Sequence, residues 1–180
     1  VRTFTAAQWR DRDWHALPAQ RQDFHAVARQ ALNLQYAGEL SALQAALTAA
    51  GWRRPTELSP TSALQWLAPQ PAAEALPILP QVHAGEHDVL RLQRRSPDGR
   101  LYLVRVWPSD WQLRGTATPV WVGSVGELVL HRQLRLFTYL TNRSASDQAL
   151  EILRQDVGAA FESVQRRNGE HGEVLLLRAR

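Results

Sequence analysis

The chain has 180 residues, 44% of them apolar and 21% charged, with a formal charge of +4, no Cys and no Met. That length accommodates one compact domain with a real core, and the composition is that of an ordinary globular protein. The absence of Cys excludes disulfides, thiolate metal sites and thiol nucleophiles, and no apolar run approaches the roughly 18 residues that span a bilayer.

All 21 basic residues are Arg. The guanidinium presents a planar fork to carboxylates and phosphates and stays charged at any accessible pH, so the positive excess favours anionic partners. With no Met anywhere, the chain is expected to be a processed or excised part of a longer protein, with Val1 as a cut. Residues 1–22 are expected to form an N-terminal arm ahead of a single domain over 23–180. In the arm, Trp9 and Trp14 interleave with Arg10, Arg12 and Arg21. Such a segment either lies against an anionic membrane surface or packs its indoles onto the domain.

Phe24, Val27, Ala28 and Ala31 fit a helical stripe over Asp23 to Ala31, and the alternation over Leu32 to Tyr36 fits a strand that Gly38 ends. Leu40, Leu43 and Leu47 define a helix from Glu39 to Ala50, closed by Gly51, where a left-handed turn is needed. Ser59-Pro60-Thr61 opens a short helix to Leu67 that would bury Leu64, with Trp66 beside it, before Pro69 and Pro71 stop it. The Pro-rich passage that follows is long for a loop in a compact domain, and such loops are often functional.

Pro77 and Pro80 keep the next segment extended. It delivers His83, Glu86, His87 and Asp88 around Gly85, ahead of a hairpin whose arms, Val89 to Arg95 and Leu101 to Trp107, flank the turn residues Ser96 to Arg100. Pro119 to Gly126 reads as a further strand whose glycines point to a bulge or a close backbone approach. Two apolar runs over Glu127 to Thr141 suggest a second hairpin. A helix starting at Ser144 is expected to run to about Arg167 with Leu150, Leu153, Val157, Phe161 and Val164 buried, and Val174 to Leu177 is a last buried strand. The order describes an α+β domain: a mainly antiparallel or mixed sheet with helices packed on one face.

His83, Glu86, His87 and Asp88 are the candidate catalytic group. No cofactor is expected, but His83 and His87 with one carboxylate would suit zinc if the rings converge. The alternative is that Gly85 turns the chain so that the rings diverge, one under the sheet and one toward solvent. Arg91, Arg94, Arg95 and Arg105 on neighbouring strands would gather into a basic patch or simply form a solvated face. Arg91 and Arg105, with Trp121, are the candidate ligand-binding residues. The phosphate-cradling glycine loop, the Gly-x-Ser-x-Gly elbow and the His-Glu-x-x-His pair do not occur. Nucleic acid ranks low as a partner, because the basic and aromatic residues do not follow a known binding module.

Three segments carry a resemblance: Gln30 to Gly38 with Gly51-Trp52, Leu76-Pro77-Ile78-Leu79-Pro80-Gln81-Val82-His83-Ala84-Gly85, and Pro119-Val120-Trp121-Val122-Gly123. With Trp14 to Asp23, they resemble the LssY C-terminal domain family. The resemblance implies a soluble appendage of a bacterial inner-membrane protein with a DedA-type region, a type-2 phosphatidic-acid phosphatase region, or both, labelled as a secretion component. It implies the parent's membrane region as a partner, an anionic lipid or envelope component as a ligand, and a periplasmic position, with the cytoplasmic face as the alternative. On this reading the domain is accessory and not itself an enzyme. The alternative is a hydrolase or metal-binding domain that uses the His83–Asp88 cluster. The family's usual later His is missing from Leu136 to Asn142, and oligomeric state stays open.

Overall fold

The structure, a computed structural model, describes residues 1–23, 28–133, 137–143 and 147–180, with the backbone alone for 28, 29, 132, 133 and 137–143. In chain order the strands are β1 (Arg2–Phe4), β2 (Gln20–Gln22), β3 (Ala28–Ala31), β4 (Leu34–Ala37), β5 (Val82–His83), β6 (Glu86–His87), β7 (Leu90–Arg95), β8 (Leu101–Leu113), β9 (Thr118–Gln133), β10 (Phe137–Arg143), β11 (Phe161–Arg167) and β12 (Glu173–Ala179). The α-helices are α1 (Ala6–Asp11), α2 (Leu40–Ala49), α3 (Pro60–Ala63) and α4 (Asp147–Val157).

Eight strands form one mixed sheet in the order β1-β8-β9-β4-β12-β11, with β7 joined to β8 and β10 to β9. β1 runs parallel to β8 and β12 parallel to β4, while the other pairs are antiparallel. The long β8–β9 ribbon is the spine, because each of its strands changes outer partner along its length. β8 pairs with β7 over Leu101–Val106 and with β1 over Trp111–Leu113, and β9 pairs with β4 over Val120–Gly123 and with β10 from Glu127 onward. The changeover on β8 is a bulge, where four steps from Trp107 to Trp111 face two from Val122 to Val120. Pro108 lies inside it and has no N–H to give to a ladder. Ser109 repairs the gap: its hydroxyl donates to the Val120 carbonyl and accepts the Trp111 N–H.

Period-two alternation gives β8 two buried faces. Tyr102, Val104 and Val106 pack with Leu43 and Leu47 of α2 and Leu150 and Leu153 of α4. On the other face Leu101 and Leu103 meet Ile78 and Leu128, while Trp107 meets Phe4, Trp9 and Leu17. The two longer helices therefore share one face, and the α+β reading holds.

Residues 1–22 pack onto the rest of the domain, the second of the two expected arrangements. Phe4, Trp9 and Leu17 are buried, β1 extends the sheet, and the Trp9 indole donates to Gln35 Oε1 at 2.8 Å. Of the expected helix over Asp23–Ala31, Ala28–Ala31 is instead β3, paired with β2, and residues 24–27 lie outside the described residues. Leu64 is 63% exposed rather than buried, and neither α3 nor the 3₁₀ turn after it buries a residue. The first arm of the expected second hairpin is a continuation of β9, and the Ser144 cap also lies outside the described residues. α4 stops at Val157 because Gly158 adopts φ +67°, which sends Phe161–Arg167 back as β11 against β12.

Gly123 sits between β8 and β4, opposite Val106 on one side and Leu34 on the other. A Cβ there would lie 2.7 Å from the Arg105 carbonyl and 3.1 Å from Leu34 Cδ2. A backbone atom cannot yield as a flexible side chain can. Gly123→Ala is therefore expected to lower stability by about 1–3 kcal/mol, measured by urea denaturation; an unchanged midpoint would show that the two strands can separate freely here.

Candidate functional site

The central stretch forms a small hairpin of its own. β5 and β6 pair with Val82 opposite His87 and His83 opposite Glu86, and the turn residues Ala84 and Gly85 both take positive φ, at +49° and +87°. This is the turn geometry that suits the twist of a two-residue hairpin loop. Its consequence is that the two imidazoles diverge. His83 is 5% exposed and meets the Trp107 ring edge-on at 6.1 Å, whereas Glu86 and His87 are exposed.

His83 Nδ1 accepts the Gln22 N–H at 3.2 Å, so in the neutral ring the proton resides on Nε2. Burial pushes the His83 pKa below its ordinary value, and the nearby Arg21 guanidinium pushes it the same way. Arg21 also donates to the Val82 carbonyl at 2.6 Å, which ties the β2 region to this hairpin.

Asp88 belongs to a different set of groups. Its side chain is fully buried; Oδ2 accepts from Arg105 Nη1, and Oδ1 lies 3.6 Å from Arg91 Nε. Arg91 and Arg105 are directly opposite each other on β7 and β8, an arrangement that repels unless an anion stands between them. Asp88 is that anion. Arg105 is only 4% exposed and also donates to the Leu79 carbonyl at 2.9 Å, while Arg91 donates to the Ile78 carbonyl at 3.1 Å. Desolvation lowers the Arg105 pKa, and Asp88 opposes that shift. The row continues across the sheet to Ser124 of β9, which is opposite Arg105.

Asp88 and Arg91 form one wall of a cavity of about 270 Å³, whose other walls include Arg54, Thr56, Glu57, Leu58, Ile78 and Pro80. His83 and Glu86 line a separate depression of about 400 Å³ with Pro18, Pro108, Ser109 and Asp110. The four residues His83, Glu86, His87 and Asp88 thus do not share one cleft. Among the described residues no three His, Asp or Glu side chains are grouped as ligands of one metal ion.

Of the candidate ligand-binding residues, Arg91 and Arg105 lie together. Trp121 does not join them, because the alternation of β9 turns it to the face that carries Val125, while Val120 and Val122 face the other way; its indole donates to the Gly38 carbonyl at 2.9 Å. The expected basic patch is divided by the same alternation. Arg94 pairs with Asp156 of α4, and Arg95 pairs with Glu74. Sequence reasoning missed Arg54 and Gln81. Arg54 precedes the long loop with no local signal, whereas Gln81, within the Leu76–Gly85 segment, accepts the Trp107 indole N–H at 3.0 Å and the Asp88 N–H at 3.0 Å through its carbonyl.

The model of the family described as LssY C-terminus matches residues 14–141. The chain belongs to this family. The LssY C-terminus match encloses His83, Asp88, Arg91, Arg105 and both cavities' β-strand walls, whereas β1, α1, α4 and the β11–β12 hairpin lie outside it. No curated protein and no solved structure matches the chain.

Removing one member of the buried pair leaves the other uncompensated. Asp88→Ala is expected to cost about 3–5 kcal/mol in urea unfolding, and adding Arg105→Met to it should restore much of that loss; equal losses in the single and double variants would mean that Asp88 acts elsewhere. For His83 the folded pKa lies below the unfolded value of about 6.5, so its contribution is fully present above that value and is lost as pH falls through the folded pKa. Thermal midpoints should therefore drop more steeply on acidification for the native chain than for His83→Gln, and parallel curves would remove His83 from the acid response.

Proposed function

We propose that the chain is an accessory domain of a bacterial membrane protein and that it binds the anionic head group of an envelope component in the cavity beside Arg91. The observation that carries this reading is the arrangement of Arg54 and Arg91 on the walls of one cavity, over a floor where Asp88 is already bound to Arg105. Guanidinium groups so placed suit a phosphate or carboxylate, which they hold by charge-assisted hydrogen bonds. The Asp88 carboxylate is fully buried and held by Arg105, a structural engagement that favours binding over catalysis at this position.

Membership in the LssY C-terminus family and the resemblance to domains fused to DedA-type and phosphatidic-acid phosphatase regions support a membrane parent. No helix among the described residues is long and apolar enough to cross a membrane. In this reading the parent's membrane region is the protein partner, the site is the inner membrane, and the domain lies on its periplasmic side. The second reading, a hydrolase, draws on His83 and Glu86, which share the other depression with Ser109 and Asp110.

Calorimetric titration with sn-glycerol 3-phosphate tests the first reading. Binding is expected, with roughly a tenfold to hundredfold loss in Arg91→Gln, the worth of a hydrogen bond to a charged group. Absent binding, or binding that Arg91→Gln and Arg54→Gln leave unchanged, would overturn it. Turnover of a phosphate ester that disappears in His83→Gln would favour the hydrolase instead.

A further inference from the structure

The mouth of the Arg91 cavity is apolar. Leu58 and Val89, both on its lining, are 53% and 50% exposed, and Leu79 stands half-exposed between Ile78 and Pro80, which line it too. Single exposed aliphatics are ordinary, but three at one opening form a patch that marks an interaction site.

Two further observations say what covers it. Arg53 and Arg54 are exposed immediately before Leu58, Arg91 lies across the opening, and Glu57 is the acid facing them. A polar cavity of about 270 Å³ takes a small head group but not a helix, whose width with side chains is about 10 Å.

We propose that this face binds a phospholipid at a bilayer surface, with the lipid's phosphate between Arg54 and Arg91 and the exposed Leu58, Leu79 and Val89 in the boundary between head groups and acyl chains. The proposal rests on the head-group reading above and adds the bilayer to it. Apolar side chains beside Arg are the composition that holds a peripheral segment in an anionic interface, where buried aliphatic area and charge attraction add.

The test compares co-sedimentation of the 180-residue chain with vesicles of phosphatidylcholine alone and of phosphatidylcholine mixed with phosphatidylglycerol, beside calorimetry with soluble glycerophosphoglycerol. Phosphatidylglycerol, with its net negative charge, should recruit the chain, and phosphatidylcholine, which carries none, should not. Leu79→Ser, at a residue beside the cavity and not on its lining, should weaken vesicle binding severalfold and leave the soluble head group bound as before. Arg91→Gln should weaken both. If glycerophosphoglycerol binds and vesicles do not recruit the chain, the bilayer proposal fails while the head-group reading stands; if neither binds, both fail. Equal recruitment by the two vesicle types would overturn the roles of Arg54 and Arg91. Self-association that Leu79→Ser abolishes would assign the patch to a second copy of the chain and overturn the proposal.

Discussion

The pairing of Asp88 with Arg105 is the constraint on which the functional half of the molecule depends. Arg105 lies in the middle of β8, on the face where its neighbours Leu103 and Trp107 are fully buried. A guanidinium there needs an anion and carbonyl acceptors, and the loop from Leu79 to Asp88 brings both. Once Asp88 is fixed, its N–H closes onto the Gln81 carbonyl, which also receives the Trp107 indole. The loop cannot move without breaking several of these bonds together. Such a buried pair adds little net stability compared with apolar residues of the same size. What it supplies is position: it sets the wall of the cavity and the orientation of the β5–β6 hairpin.

The same pair explains why the second face of the sheet has two apolar clusters. Leu101, Leu103 and Leu128 form one with Ile78, and Trp107, Val120 and Val122 form the other with the N-terminal segment. Between them runs the polar row Arg91, Arg105 and Ser124 across three strands. The opposite face has no such interruption, and there α2 and α4 pack on a continuous cluster. One face of the sheet is thus given to stability, and the other is divided by chemistry.

How much of this the sequence disclosed depends on whether a residue's role is local or reached across the fold. Gly51 after α2 and the Ser96–Arg100 turn were legible because their signals lie within a few residues of the structure they cause. α4 was read too long because Val157, Phe161 and Val164 keep a helical spacing while Gly158 takes the left-handed conformation that ends the helix. Trp9 was ambiguous because an indole next to Arg suits both a bilayer and a core, and its partner Gln35 is 26 residues away. Trp121 was grouped with Arg105 because both lie in adjacent strands, but which face each occupies follows from a register that pairs Arg105 with Ser124. Arg54 reaches the cavity only through the long loop, and no pattern near it announces that.

The β5–β6 hairpin links the two cavities, and its chemistry differs on its two flanks. On one flank His83 offers Nδ1 as an acceptor to the Gln22 N–H, and on the other Asp88 offers a carboxylate to Arg105. Protonation would place an N–H of His83 against the N–H of Gln22, so the imidazole must stay neutral for this contact to hold. The lowered His83 pKa keeps it neutral near pH 7, and burial is the main cause. Arg21 contributes to that shift and also holds the Val82 carbonyl. The β2 region is therefore coupled to the hairpin through the Val82 carbonyl, the His83 imidazole and the Ala84 N–H, which donates to the Gln22 carbonyl at 3.1 Å. Because Asp88 follows His87 directly, a movement of the hairpin about its turn would be transmitted to the anion between Arg91 and Arg105. The wall of the Arg91 cavity and the imidazole on the far flank are thus held at two ends of one short hairpin.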